Sequence, residues 1–210
     1  MFAIYLLIKT KNKMENQEKQ MTSEESLALI QSMIDKAQNK IAEDGFEFLL
    51  WGVLVIVASI MNYVLLKMGY DDKAGLAWLI MPVIGVPISI IYNRRKAATE
   101  LVRTYIERAV GNIWMAYGVT LFFIIFYCVK MEISPIPFIL LVTGMATFNT
   151  GLTIQFKPLT IGGISFWLFA IISFFVIDAN VLLLNALAIF AGYIIPGMLL
   201  RKQHKLAQHV

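Results

Sequence analysis

Six stretches of the chain carry no Asp, Glu, Lys or Arg: Phe48–Leu66, Ala74–Asn93, Ala109–Val129, Ile133–Phe156, Pro158–Ile177 and Ala179–Leu200. Each is continuously apolar and lacks the in-out alternation of a barrel strand, so each reads as a helix. About 20 helical residues cover about 30 Å of hydrocarbon, which every one of these runs can do. The pattern predicts an all-α, polytopic membrane protein with six transmembrane helices, at about 46–67, 74–93, 111–130, 134–156, 159–177 and 180–200.

Two further segments have helical spacing with a polar face. In "TSEESLALIQSMIDKAQNKIAED", residues 22–44, Thr22 and Glu25 stand at capping-box spacing, and Leu27, Ile30, Ile34 and Ile41 follow at helical intervals. This predicts an amphipathic cytoplasmic helix, preceded by a flexible N-terminus at 1–21. Residues 94–110 place Leu101 and Tyr105 on one face and pair Arg103 with Glu107 at i, i+4, which predicts a cytoplasmic helix between spans two and three. The first segment carries a charge balance of −3 over residues 23–44, and the second a balance of +3 over residues 94–110. An acidic helix is repelled by anionic lipid and is better placed against protein, so Leu27, Ile30, Ile34, Ile41, Leu101, Arg103 and Tyr105 are candidate docking residues. Attraction of the basic segment to lipid headgroups is the plainer alternative.

Composition agrees with a bilayer environment. Of 210 residues, 59% are hydrophobic and 15% charged, with a mean hydropathy of +0.70, too apolar for a soluble domain of this size. Lys and Arg are distributed by topology. With the N-terminus inside, the cytoplasmic side carries 15 of the 18 and the outside 3, so both termini are expected in the cytoplasm, including a basic tail at 201–210. The same placement argues against direct nucleic-acid binding despite a net charge of +4. The apolar opening "MFAIYLLI" is too short to span and precedes its lysines, the reverse of a secretory signal; Met14 is an alternative start of translation.

Within the spans, several patterns bear on packing. Span two contains Pro82, Gly85 and Pro87, which predicts a kink. Span four is expected to open with Ser134 as a cap and Pro135 at the first helical position. Its inner half gathers Thr143, Thr147, Asn149, Thr150 and Thr153 around Ala146, a small polar face within an arc of about 160°. These residues are expected to meet other helices, with Asn149 needing an interhelical partner or water, and a solute pathway along them is the alternative. Gly162 and Gly163, and Ala188 with Gly192, are expected to permit close helix contact. Trp51, Trp78 and Trp114 are read as interfacial belt residues. Asp44 and Glu47 stand at capping spacing beside the positive end of span one.

The chemistry of catalysis is missing from the pattern. All charges lie at span ends or in loops, both histidines are in the tail, and Cys128 is a lone thiol without a neighbouring His. Asp71–Asp72 supply too few ligands for a cation and read as a solvated turn. No HExxH, GxSxG or GxxxxGK[ST] occurs. No catalytic, cofactor-binding or metal-ligating residue is predicted.

"FKPLTIGGISFWLFAIISFFV" with "ALAIFAGYIIPGMLL", and "TSEESLALIQSMIDKA" near the N-terminus, resemble a group of small six-span integral membrane proteins of Bacteroidota-like bacteria. The resemblance covers spans four to six best. It implies a similar fold and, since such proteins are often encoded beside a winged-helix regulator, a part in regulated membrane physiology; it transfers no site residue. The expected function is a non-enzymatic docking, sensing or regulatory platform of the bacterial inner membrane, working on another protein or on itself. The alternative is a membrane subunit of an exporter coupled to a separate ATPase.

Overall fold

The computed structural model describes residues 26–28, 30–32, 45–98, 105–176 and 178–207. The chain forms two units, Met1–Lys36 and Ala37–Val210. The described residues of the first are helical. Ile34, Ile41, Leu101 and Arg103, and the N-terminus at 1–21, lie outside the described residues.

All regular structure among the described residues of the second unit is helical. The elements are α1 (Phe46–Lys67), α2 (Asp71–Ala74), α3 (Leu76–Ala98), α4 (Tyr105–Lys130), α5 (Ile136–Thr153), α6 (Lys157–Ser173) and α7 (Asn180–Ile189). A π-helical turn, Phe190–Ile194, then leads into α8 (Ile195–Ala207). Five stretches are long and apolar enough to cross a membrane: Phe46–Lys67, Asp71–Arg95, Tyr105–Lys130, Ile136–Thr153 and Asn180–Lys202.

The fifth charge-free run is shorter as a helix than its composition predicts. α6 has 17 residues, about 26 Å at 1.5 Å per residue, and falls short of the hydrocarbon thickness by about 4 Å. It stops at Ser173 because the Phe174 and Phe175 amides fold back onto Ile171 and Ile172 in a turn, so freedom from charge outlasts the helix. Smaller differences occur elsewhere. α5 starts at Ile136 with Pro135 flanking it, one residue later than the Ser134 cap predicts. Asp71 and Asp72 open the four-residue α2, where a turn was expected. Residues 94–98 continue α3 and residues 105–110 open α4.

The α5–α6 hairpin is the tightest helix pair. It turns at Gln155, which takes a left-handed φ of 54°, and the Phe156 amide closes the turn on the Gly151 carbonyl at 2.9 Å. A Cβ at Gly163 would lie 2.5 Å from the Phe148 backbone nitrogen, and one at Gly162 would lie 2.6 Å from the Gly192 carbonyl oxygen. Only hydrogen fits at either place, so the pair of glycines brings α6 against α5 on one side and against the π turn on the other, as their spacing predicts.

Around that hairpin, α1 packs on α7 and on α3, α4 packs on α5, and α8 closes against α1 and α6. Leu140, Phe166, Ala170, Leu182, Ala188 and Tyr193 form the buried centre. A second cluster, Ile154, Phe156, Leu159 and Leu200, fills the end where α5, α6 and α8 meet. α3 and α4 are peripheral; α4 contributes one buried residue, Cys128. α3 is an unbroken helix through Pro82 and Pro87, and between them a Cβ on Gly85 would lie 2.8 Å from Leu54 Cδ1 and 3.0 Å from the Trp51 ring. The Pro/Gly segment therefore serves contact with α1.

Candidate functional site

The polar groups inside the bundle form three small constellations. In the first, four aromatic side chains from three elements meet: Phe48 of α1, Trp114 and Tyr117 of α4, and Tyr193 of the π turn. Ring centroids lie 5.7 Å apart for Phe48 and Tyr193, 6.3 Å for Trp114 and Tyr193, and 5.3 Å for Trp114 and Tyr117. Phe166 closes the group edge-on to Tyr193 at 5.0 Å. Two hydroxyls leave this cluster toward α5: Tyr117 Oη lies 3.1 Å from Thr143 Oγ1, and Thr147 Oγ1 donates to Tyr193 Oη across 3.4 Å. Geometry of this kind suits amphipathic rings, whose apolar bodies pack while the hydroxyl finds a partner.

The second constellation is a single bond between α1 and α7, in which the buried Asn185 amide donates to the buried Ser59 hydroxyl at 2.9 Å. The third lies at the start of α1, where Glu47 reaches α3. The Ser89 hydroxyl stands 2.7 and 2.8 Å from the two carboxylate oxygens and donates to them, Asn93 Nδ2 donates to Oε1 at 2.9 Å, and Trp51 Nε1 donates to Oε2 at 3.1 Å. The carboxylate sits in the first turn of α1, where the helix macrodipole favours negative charge. Asp44, its expected capping partner, lies outside the described residues; Gly45 precedes the helix with a left-handed φ of 35°, and Glu47 bonds between helices.

The threonine face divides in two. Thr143, Thr147 and Thr150 are buried, and Thr150 donates back to the Ala146 carbonyl at 2.7 Å. Asn149 and Thr153 differ from expectation. Asn149 is exposed and donates to the Met145 carbonyl of its own helix at 2.8 Å, and Thr153 donates to the Asn149 carbonyl at 2.7 Å. The reason is angular: Asn149 lies at the end of the arc of about 160° opposite Thr147, with Thr153 about 40° inside it, and α6 packs on the side that carries Gly144, Thr147 and Gly151. Of the three tryptophans read as interfacial, Trp114 and Trp78 pack against the core, and Trp51 donates to Glu47. Of the candidate docking residues, Leu27, Ile30 and Tyr105 are exposed.

Cys128 is 1% exposed, sunk in an apolar hollow of about 330 Å³ lined by Thr120, Phe123, Ile124, Tyr127 and Phe138. That surrounding fits a packing residue. Among the described residues no buried side-chain nitrogen or oxygen lacks a hydrogen-bond partner, and no group of three or more His, Cys, Asp or Glu is placed to hold a metal ion.

The sequence singled out Thr143, Thr147 and Thr150 by their spacing. It offered no pairing for Ser59 and Asn185, 126 residues apart, or for Glu47 with Ser89 and Asn93. A serine and an asparagine four residues apart in an otherwise apolar span, as at Ser89 and Asn93, are the signal that was available. Comparisons with protein-family models, with curated proteins and with solved structures find no match.

Proposed function

We propose that this is a non-enzymatic integral protein of the bacterial cytoplasmic membrane, with six spans and both termini inside, that acts as a docking, sensing or regulatory platform through its cytoplasmic helices. α6 is the fifth of the six spans in this reading. A deficit of about 4 Å is absorbed by local thinning of the bilayer or by flanking residues that reach the interface. The charge asymmetry of the loops supports the orientation.

The observation that carries the reading is the saturation of the interior. The buried hydroxyls and amide are spent on one another or on their own helix, as in Asn185–Ser59, Thr147–Tyr193 and Thr150–Ala146. Such a core holds helices together and leaves recognition to the surface. There the chain offers apolar residues on polar segments: Leu27 is 65% and Tyr105 86% exposed. Leu27, Ile30, Ile34 and Ile41 make one stripe by spacing and Leu101 and Tyr105 another, with Arg103 on its polar side, each fitted to a protein partner or a second copy of the chain.

Copurification from native membranes tests the proposal. Recovery of a regulator, another membrane protein or a second copy supports the platform, and its loss in Ile34→Asp locates the contact. Recovery of an ATPase subunit would instead support the exporter reading, whose six-span layout is compatible with the same chain.

A further inference from the structure

α3 is fastened to the bundle differently at its two ends. Its principal partner is α1. Toward its start Trp78 packs against the buried centre, and in its middle Gly85 lies against Leu54 and Trp51. Toward its end the attachment is polar and aromatic: Ser89 and Asn93 both donate to the Glu47 carboxylate, and Tyr92 stacks on Phe46 with centroids 4.0 Å apart. Pro82 and Pro87 flank the Gly85 contact, and Pro87 separates it from the polar attachment. Neither has an N–H, so two rungs of the α3 hydrogen-bond ladder, at the carbonyls of Trp78 and Val83, have no donor from the residue four positions on.

We propose that Glu47 is a latch and the Pro82–Pro87 stretch a hinge: the carboxylate holds the second half of α3 against α1, and that half swings about the prolines when the latch opens. Neutral donors converge on one carboxylate, so both of its oxygens are engaged from α3 and no single substitution on α3 removes every bond. The rings of Phe46 and Tyr92 limit rotation while the latch is closed. The moving half leads directly into Arg94, Arg95 and the connection to α4, so opening changes the position of the basic segment relative to the bundle. This device does not depend on the docking proposal, since it concerns how α3 is held and not what binds to it.

The test is a pair of distances measured by pulsed electron paramagnetic resonance on the full chain in lipid nanodiscs, in a Cys128→Ser background. One pair of spin labels, at Arg95 and Lys202, reports the end of α3; a second, at Leu76 and Phe175, reports the other end of the bundle. All four positions are exposed. The eight residues from 88 to 95 span about 12 Å, and a kink of about 20° at their base sweeps about 4 Å at Arg95.

Glu47→Ala is expected to add a second Arg95–Lys202 population displaced by about that amount, and to leave the Leu76–Phe175 distribution as it was. Ser89→Ala is expected to produce the same second population more weakly, and provides the measurement if Glu47→Ala does not fold. Adding Pro82→Ala and Pro87→Ala to the Glu47 variant should restore the single narrow distribution. An unchanged Arg95–Lys202 distribution in both latch variants would overturn the latch. Equal broadening at both pairs would show general loosening and overturn it as well. Persistence of the second population without the prolines would overturn the hinge.

Discussion

Asn185 of α7 donates to Ser59 of α1 across 2.9 Å, with both residues buried and 126 positions apart in the chain. In hydrocarbon an interhelical bond of this kind contributes about 0.6 kcal/mol on average and rarely more than about 1.7 kcal/mol, because the separated helices find other partners. Asn185→Leu and Ser59→Ala should therefore each lower stability by about 1 kcal/mol, and the double variant by less than their sum, with the difference equal to the bond. Unfolding equilibria in mixed micelles measure all three. Strict additivity would mean that the two side chains do not interact.

The glycines of the α5–α6 contact and of α4 should respond in opposite ways. Gly163→Ala sets a methyl group 2.5 Å from the backbone of Phe148, a neighbour that cannot rotate away, and should cost about 1–3 kcal/mol. Gly118→Ala meets nothing within 4 Å and should be neutral, or stabilising by up to about 1 kcal/mol through helix propensity. Thermal midpoints of the two variants in one detergent check the contrast.

Tyr193 separates packing from hydroxyl chemistry. Tyr193→Phe keeps the ring against Phe166, Phe48 and Trp114 and removes only the bond from Thr147, so a loss of about 1 kcal/mol or less is expected. Tyr193→Ala removes the ring and should cost about 3–5 kcal/mol. A Tyr193→Phe protein of normal stability and abundance that has lost a transport phenotype would show that the hydroxyls serve a pathway.

Topology can be read with thiols. Native Cys128, 1% exposed, should react slowly with a membrane-impermeant maleimide, and faster in Phe138→Ala, where one wall of its hollow is removed. In a Cys128→Ser background, Lys130→Cys and Arg201→Cys should label from opposite sides of intact cells. Labelling of both from one side would exclude the six-span orientation.

Much of this architecture is written in single-helix pattern. Charge-free runs locate the helices because a bilayer sets their minimum length, and Gly162 and Gly163 announce close contacts because nothing larger fits against the facing backbone, as at Gly192 against the Phe166 ring. Thr143, Thr147 and Thr150 are found for the same reason: helical spacing puts them on one face. What one helix's pattern omits is which helix lies opposite. Asn149 stands about 160° from Thr147, two steps of helical rotation along the chain, so it falls beyond the edge of α6 and bonds to its own turn. The partners of Glu47 and Ser59 depend on tertiary neighbours that no local spacing encodes, and α6 ends where Phe174 turns back, among residues as apolar as those before it.

The π turn at Phe190–Ile194 makes the last span two helices held at a fixed angular phase. Before it, Asn185 faces Ser59; after it, Gly197 lies against Leu49, and Leu200 is buried with Leu159. A π turn accommodates one residue more than an α turn, and each residue of α-helix is worth about 100° of rotation. Length in these five positions is thus equivalent to angle: removing one residue would leave the span almost as long and as apolar, but would turn α8 so that only one of its two halves could keep its face toward α1.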